Sequence, residues 1–396
     1  MSMQEASAKP IPFDTAKLDA EMEAAGIDIL LVNSKHNLSY LLDRHRHHFF
    51  EYSDAIGVSR YLPLLVYRKG RPDQAAYFGN RNEKDMIAVR ANEGRPLWPA
   101  TIVPATSMTL DATARAVEHI RSIASRPGAI GIEPGFLPFD AGTALREAFP
   151  DSRFTDATRT LEQLRAIKTP AELEIIREAS ERVVQAMVAT MRGSAHGCSK
   201  HEIISVLQRE EIARGLAFEY ALITLGTSLN RAPSSEIWRK GDIMSVDSGG
   251  NLDGYLGDLC RMAVAGEPDS EARDLLAEVR AVQDAARKPI RDGLRGGDIF
   301  AAAEEELKRV SSGNQMSFVA HGVGLIGHEA PRLTAKGPIP YPADDADLPL
   351  KAGMVISVET TLLHPKRGFI KLEDTVAVTA TGHVGYGDDA RDWVST

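Results

Sequence analysis

Five side chains in the C-terminal half, Asp247, Asp258, His321, Glu359 and Glu373, have types and settings suited to metal chemistry. Asp247 follows the apolar run in GDIMSVDSGG, and Asp258 lies in a second strand-like run, GYLGDLCRMAVAG, with the turn-rich NLDG between them. A hairpin turn centred between Leu252 and Asp253 sets Asp247 directly opposite Asp258. Two like charges at ~4 Å repel by roughly 4 kcal/mol at an effective dielectric near 20. The pair therefore calls for a cation or a shared proton, unless both aspartates simply cap turns in solvent. His321 sits among small and apolar residues in VAHGVGLIGHEAPRL, Glu359 ends an apolar run in KAGMVISVETTLL, and Glu373 lies inside another in GFIKLEDTVAVT. Taken singly, the histidine reads as a core residue, while the solvent face of an alternating strand is the lesser alternative for each glutamate, because acidic residues rarely sit within such apolar runs. Taken together, they form a set dominated by hard oxygen donors, enough to share two divalent ions ~3.5 to 4 Å apart.

The bulk composition narrows the partners. The 396 residues carry a formal net charge of -9 and no long Lys/Arg run. A nucleic-acid backbone is therefore excluded, because its binding needs a cationic face. The two cysteines, Cys198 and Cys260, form no CxxC pair. Neither a disulfide framework nor a thiolate zinc site is expected, and Cys260 reads as a small buried hydrophobe. The N-terminus MSMQEASAKPIPFD is polar, and no stretch approaches the ~18 apolar residues of a membrane span. A cytoplasmic protein without membrane or nucleic-acid partners is the expectation.

The elements that position these residues fall into two blocks. FDTAKLDAEMEAAG predicts a helix with Asp14 as N-cap and Gly26 as the stop. The runs IDILLVNS, LPLLVY and AIGIE predict strands alternating with helices, an α/β domain over residues 1–165. Thr169, Pro170 and Glu172 form a capping box with proline at the first helical position. They open a helix to about Met191 that Gly193 ends. Ser199 and Glu202 form another box, ahead of a helix to about Arg214, with Gly215 as its stop. Beyond Leu222 short strands dominate, with a pair of helices between Ser270 and Val310, so residues 166–396 read as α+β. The histidines of DRHRHHFFEY, His45, His47 and His48, read as solvated on a flexible loop, with no metal assigned to them.

These motifs, in this order, resemble the pita-bread metallopeptidase family, which contains methionine aminopeptidase, Xaa-Pro aminopeptidase and prolidase, with creatinase as a metal-free relative. The resemblance rests on VDSGG, GYLGD, HGVGL, SVE and LEDTV, and it fills all five metal-ligand positions, Asp247, Asp258, His321, Glu359 and Glu373. It is strong beyond about Thr169 and looser before it, where GIDILLVNSKHNLSYLL is similar to the smaller domain of the prolidase and aminopeptidase P branch. It implies a creatinase/prolidase-like α/β domain followed by a pita-bread catalytic domain.

The resemblance also implies an enzyme that cleaves a peptide or amide C–N bond with two divalent ions, manganese first, with iron, cobalt or zinc as alternatives. A small peptide or amide-like substrate and a homodimer follow from it. His328 stands where the family keeps a histidine that stabilises the tetrahedral intermediate, and Glu359 is the candidate proton acceptor. Lys371 stands two residues before the fifth ligand, where an arginine is common, and is a candidate substrate contact. So is Arg46, because the small domain of one resembling subunit can overhang its partner's pocket. Two departures matter. The segment GTSLNRAPSSEIWRKGD lacks the substrate-facing histidine usual upstream of the first metal aspartate. The gap between Glu359 and Glu373 is also short, which suggests a trimmed loop. These departures leave a second reading open, in which the same site acts on a non-peptide small molecule by amidohydrolysis or elimination.

Overall fold

The structure is a computed structural model that describes residues 10–50, 61–334 and 341–396. The last two residues of DRHRHHFFEY lie outside that set. The chain divides into two compact units, Met1–Leu164 and Arg165–Thr396.

The first unit is a six-stranded mixed sheet. Its strands are β1 (Ile29–Val32), β2 (Leu64–Arg68), β3 (Arg71–Asn80), β4 (Thr101–Thr106), β5 (Ala129–Ile132) and β6 (Arg153–Asp156), in the spatial order β4-β3-β2-β1-β5-β6. β1 pairs antiparallel with β2 and parallel with β5. Two separate apolar clusters line its faces, one built on Leu30, Val32 and Leu65, the other on Ile29, Leu31 and Val66. Adjacent residues of one strand feed opposite layers, as the pleat requires of a sheet covered on both sides. The helix Thr15–Ala25 starts where Asp14 accepts from the Lys17 amide, and it ends at Gly26 with φ 63°. The only route to that left-handed cap without a Cβ penalty is glycine.

His45 and His47 overturn the solvated reading of their stretch, because both are buried. His45 Nε2 lies 2.9 Å from Glu83 Oε2, a carboxylate that also accepts from the Tyr77 hydroxyl. Their apparent loop character comes from short-range polarity; their burial comes from a partner far along the chain.

The second unit carries an eight-stranded sheet: β7 (Ala217–Leu225), β8 (Ile243–Leu252), β9 (Tyr255–Val264), β10 (Met316–Gly322), β11 (Val355–His364), β12 (Gly368–Val378), β13 (His383–Tyr386) and β14 (Val394–Ser395). Its main path runs β10-β11-β12-β9-β8-β7. The helices Pro170–Gly193 and Lys200–Ala213 both open on the expected capping boxes, Thr169 with Glu172 and Ser199 with Glu202. The first runs two residues past Met191 and includes Gly193; Ser194 caps it. These helices pack with β7 to β9 around Val183, Met187, Val246 and Leu259. The helices Ser270–Arg287 and Asp298–Leu307 pack with β10 to β12 around Val282, Ile299, Ala320, Ile356, Val358 and Val376. Along each strand these apolar residues alternate with the acidic and imidazole groups of interest, which therefore share the other face.

Candidate metal centre

The hairpin β8–β9 turns on Asp253 and Gly254, with φ of 51° and 97°, so the two-residue loop is of the primed kind that Asp-Gly favours. Leu252 pairs with Tyr255, and Asp247 faces Cys260 while Asp258 faces Gly249. The expectation that Asp247 stands directly opposite Asp258 is thus corrected. The turn centre lies one residue further on, and the two aspartates are diagonal neighbours. Because that slip moves the register by two, both still point to one face.

From there the register carries across the sheet. Cys260 is opposite Glu373, Glu373 is opposite Glu359, and Glu359 is opposite Val319. One row therefore reads Asp247, Cys260, Glu373, Glu359. Two residues along lies a second row, in which Gly249 faces Asp258 and Ser357 faces His321. Five residues scattered over more than a hundred positions meet because two adjacent rows of one antiparallel sheet carry them. The loop between β11 and β12 is the short turn between the paired residues His364 and Gly368.

The structure brings all five expected ligands together. One ligand atom each from Asp258, His321 and Glu373 lie within 4.8 Å of one another, and all three residues are buried. His321 Nδ1 lies 3.1 Å from the Gly322 carbonyl and Nε2 lies 3.0 Å from Glu359 Oε1. With the Nδ1 proton donated to the carbonyl, the Nε2 lone pair faces a carboxylate oxygen. Two acceptors at that separation need a cation between them, or a proton on the ring. Burial would lower the His321 pKa, but the Glu359 carboxylate raises it above the ordinary value. Burial pushes Asp258 up to about 6 and Glu373 well above the usual carboxylate range. Glu359 moves the other way: despite burial, Lys371 and His321 hold it below that range. Buried carboxylates that cannot all ionise unaided, beside an imidazole lone pair, fit a divalent cation.

Lys371 is the group whose place the sequence reading mistook. Expected to contact substrate, it is buried inside the ligand set. Its Nζ lies 2.6 Å from Asp247 Oδ2, 2.6 Å from Glu359 Oε2 and 2.7 Å from Glu373 Oε2. Burial opposes its charge, yet these carboxylates raise its pKa well above the ordinary value. The sequence held a signal for this. Lys371 and Glu373 are two apart on one strand, so their side chains share a face.

Two further residues were missed. Arg231 donates from Nη2 to Asp247 Oδ2, and its guanidinium lies 5.2 Å from the Phe369 ring centroid. It comes from the segment that lacks the expected upstream histidine. Tyr220 on β7 donates its hydroxyl to Asp258 Oδ1. Neither stands out in a pattern of apolar residues.

His328 reaches the site through its loop. The Glu329 amide donates to the Gly322 carbonyl at 3.1 Å, closing residues 322–329 into a compact loop. Gly324 lets the loop pack directly on Glu329, since a Cβ there would lie 2.2 Å from Glu329 Oε1 and displace that side chain. Closure stacks His328 on His321 with ring centroids 3.8 Å apart and planes 21° from parallel. Burial and the neighbouring His321 lower the His328 pKa to about 4, so its ring is neutral near pH 7. Its Nδ1 lies 3.2 Å from the Tyr341 hydroxyl. Arg46 belongs to the first unit, where it is exposed with its guanidinium 4.7 Å from the Phe50 ring centroid.

A sheet whose one face gathers carboxylates and an imidazole for a divalent ion, with a neutral histidine alongside, defines a metal-dependent hydrolase of peptide C–N bonds on the pita-bread fold. The chain belongs to metallopeptidase family M24, whose model matches residues 174–380, and residues 15–167 match the creatinase/prolidase N-terminal domain. It is 27% identical over 271 residues to an Xaa-Pro dipeptidase of Pyrococcus furiosus, covering 67% of this chain and 75% of that one. It is 30% identical over 237 residues to a probable dipeptidase of Mycobacterium tuberculosis, covering 58% and 60%. The fold matches that of a dipeptidase from Pyrococcus horikoshii with a TM-score of 0.79 at 21% identity, over 96% of this chain and 99% of that one. No helix among the described residues is long and apolar enough to cross a membrane.

Proposed function

We propose that the chain hydrolyses short peptides of the Xaa-Pro dipeptide class, with manganese as the metal that suits its oxygen-rich donors. The support is the likeness to Xaa-Pro dipeptidase, together with the His328 ring stacked on His321. A divalent ion in the Asp258, His321 and Glu373 cluster would supply Lewis-acid polarisation of the scissile carbonyl and acidify water.

The chain's own residues do the rest. With the Tyr341 hydroxyl donating to Nδ1, the His328 ring carries its proton on Nε2, where it donates a hydrogen bond to the developing oxyanion. Glu359 enters the reaction ionised and is part-exposed, while Asp247, Asp258 and Glu373 are buried. It is therefore the carboxylate placed to accept a water proton and pass it to the leaving nitrogen. Lys371 and Arg231 hold Asp247 in place through its Oδ2.

The observation that carries this reading is the stack of His328 on His321, with ring centroids 3.8 Å apart, which sets a second imidazole beside the proposed metal ligand. The experiment is a substrate panel run with manganese and with chelator, comparing Xaa-Pro dipeptides with other dipeptides and with small cyclic and linear amides. Chelator-sensitive cleavage of Xaa-Pro dipeptides is the expected result. Turnover confined to non-peptide amides would replace the peptide assignment with the small-molecule one.

A further inference from the structure

The carboxylates of Glu359 and Glu373 each divide their two oxygens between two neighbouring places. Glu359 turns Oε2 to Lys371 Nζ at 2.6 Å and Oε1 to His321 Nε2 at 3.0 Å. Glu373 turns Oε2 to Lys371 Nζ at 2.7 Å and Oε1 toward His321 Nε2 at 3.8 Å, with the Ser357 hydroxyl donating to Oε1 at 2.7 Å. One place is bounded by Asp247, Glu359 and Glu373 and is filled by the ammonium. The other is bounded by Asp258, His321, Glu359 and Glu373.

We propose that the Lys371 ammonium permanently takes the first of two cation places, so that this centre binds one divalent ion, on the Asp258 and His321 side, and not two. The inference rests on the metal-dependent reading above and corrects the count of two ions that the sequence resemblance implies.

Three observations carry it. The Nζ makes ion pairs with three carboxylates at 2.6 to 2.7 Å, the reach of a coordinating group rather than of a loose surface contact. The Lys371 side chain is 4% exposed, so it cannot move to solvent without breaking all three pairs and disturbing the packing around it. Charge also closes on one ion. Asp247, Asp258, Glu359 and Glu373 bring four negative charges when ionised, and Lys371 and Arg231 return two. One divalent ion completes neutrality, whereas a second would sit against an ammonium that already holds its ligands. Asp247 in particular spends its Oδ2 on both Lys371 and Arg231.

The test is metal stoichiometry with manganese as the probe, read by elemental analysis after dialysis and by electron paramagnetic resonance. Wild type is expected to hold one ion per chain with the spectrum of an isolated Mn(II). Lys371→Ala is expected to hold two, with the spectrum of an exchange-coupled pair. His321→Ala is expected to lose tight uptake. Two coupled ions in wild type would overturn the inference while leaving the metal-hydrolase reading intact. A Lys371→Ala protein that still takes up one ion would overturn it too. If that variant does not fold, the wild-type spectrum decides alone. Hydrolysis by wild type with no bound ion would overturn the metal reading itself.

Discussion

Glu359 and Glu373 stand directly opposite each other on β11 and β12, and both carboxylates reach the same Lys371 ammonium. Opposed like charges in a non-solvated pair are destabilising on a sheet. Here the opposition is what makes the site, since it sets two carboxylates side by side on one ammonium and beside one imidazole.

His328→Ala is predicted to lower kcat by about 10² to 10³, the usual loss of one oxyanion donor. KM and manganese content should stay close to wild type, because the residue is stacked beside the metal ligand and is not one itself. Steady-state kinetics with metal analysis on the same preparation checks this. An unchanged kcat removes His328 from the reaction.

Removing metal is predicted to lower stability as well as activity. A ligand at about 100 times its Kd stabilises by about 2.7 kcal/mol, which for a unit of this size is roughly 5 to 10 °C in Tm. Thermal melts with manganese and with chelator measure it. Identical melts would mean that no ion is bound to the folded state.

Glu329 is predicted to be the strongest single support of the His328 loop. It is buried, with Oε2 2.9 Å from Arg165 Nε and Oε1 3.0 Å from Lys168 Nζ. Glu329→Ala removes the carboxylate that both cations share, and breaking such a buried pair costs about 3 to 5 kcal/mol. Urea denaturation gives the value. A loss under ~1 kcal/mol would show that the cations find solvent or other partners.

A pH effect on stability is predicted at Glu211, away from the metal. It is fully buried, with the Ser248 hydroxyl donating to Oε1 at 2.8 Å, and burial pushes its pKa up to about 7 from 4.5. A raised carboxyl pKa means that the folded state holds a proton the unfolded state releases. Its stabilising contribution is present below about pH 4.5 and is lost as pH rises through about 7. The shift corresponds to roughly 3 kcal/mol. Glu211→Gln should therefore raise Tm at pH 8 and change it little at pH 5. Equal shifts at both pH values would contradict the assignment.

Much of this site is visible in the amino-acid order because strands alternate with a period of two. The acidic residues interrupt apolar runs, and parity alone puts Asp247 and Asp258 on one face even with the turn centre misplaced by a residue. The Asp253-Gly254 pair, which favours the left-handed conformation at both turn positions, was the better guide to that centre. Parity also held the clue to Lys371, which reads as a substrate contact only when its distance of two from Glu373 is ignored. Arg231 and Tyr220 could not be found this way. Their contacts with Asp247 and Asp258 depend on which strand lies at the sheet edge and how a loop returns to it. The burial of His45 against Glu83 likewise depends on tertiary packing across 38 residues and has no local pattern.

The central claim is that one face of this sheet gathers its carboxylates and imidazole around a divalent ion. Anomalous diffraction at the manganese edge from crystals of the manganese-loaded protein tests it most directly. The account predicts a peak bounded by Asp258, His321 and Glu373, within coordination distance of the His321 Nε2. A protein that cleaves its peptide with no anomalous peak in that cluster would contradict it.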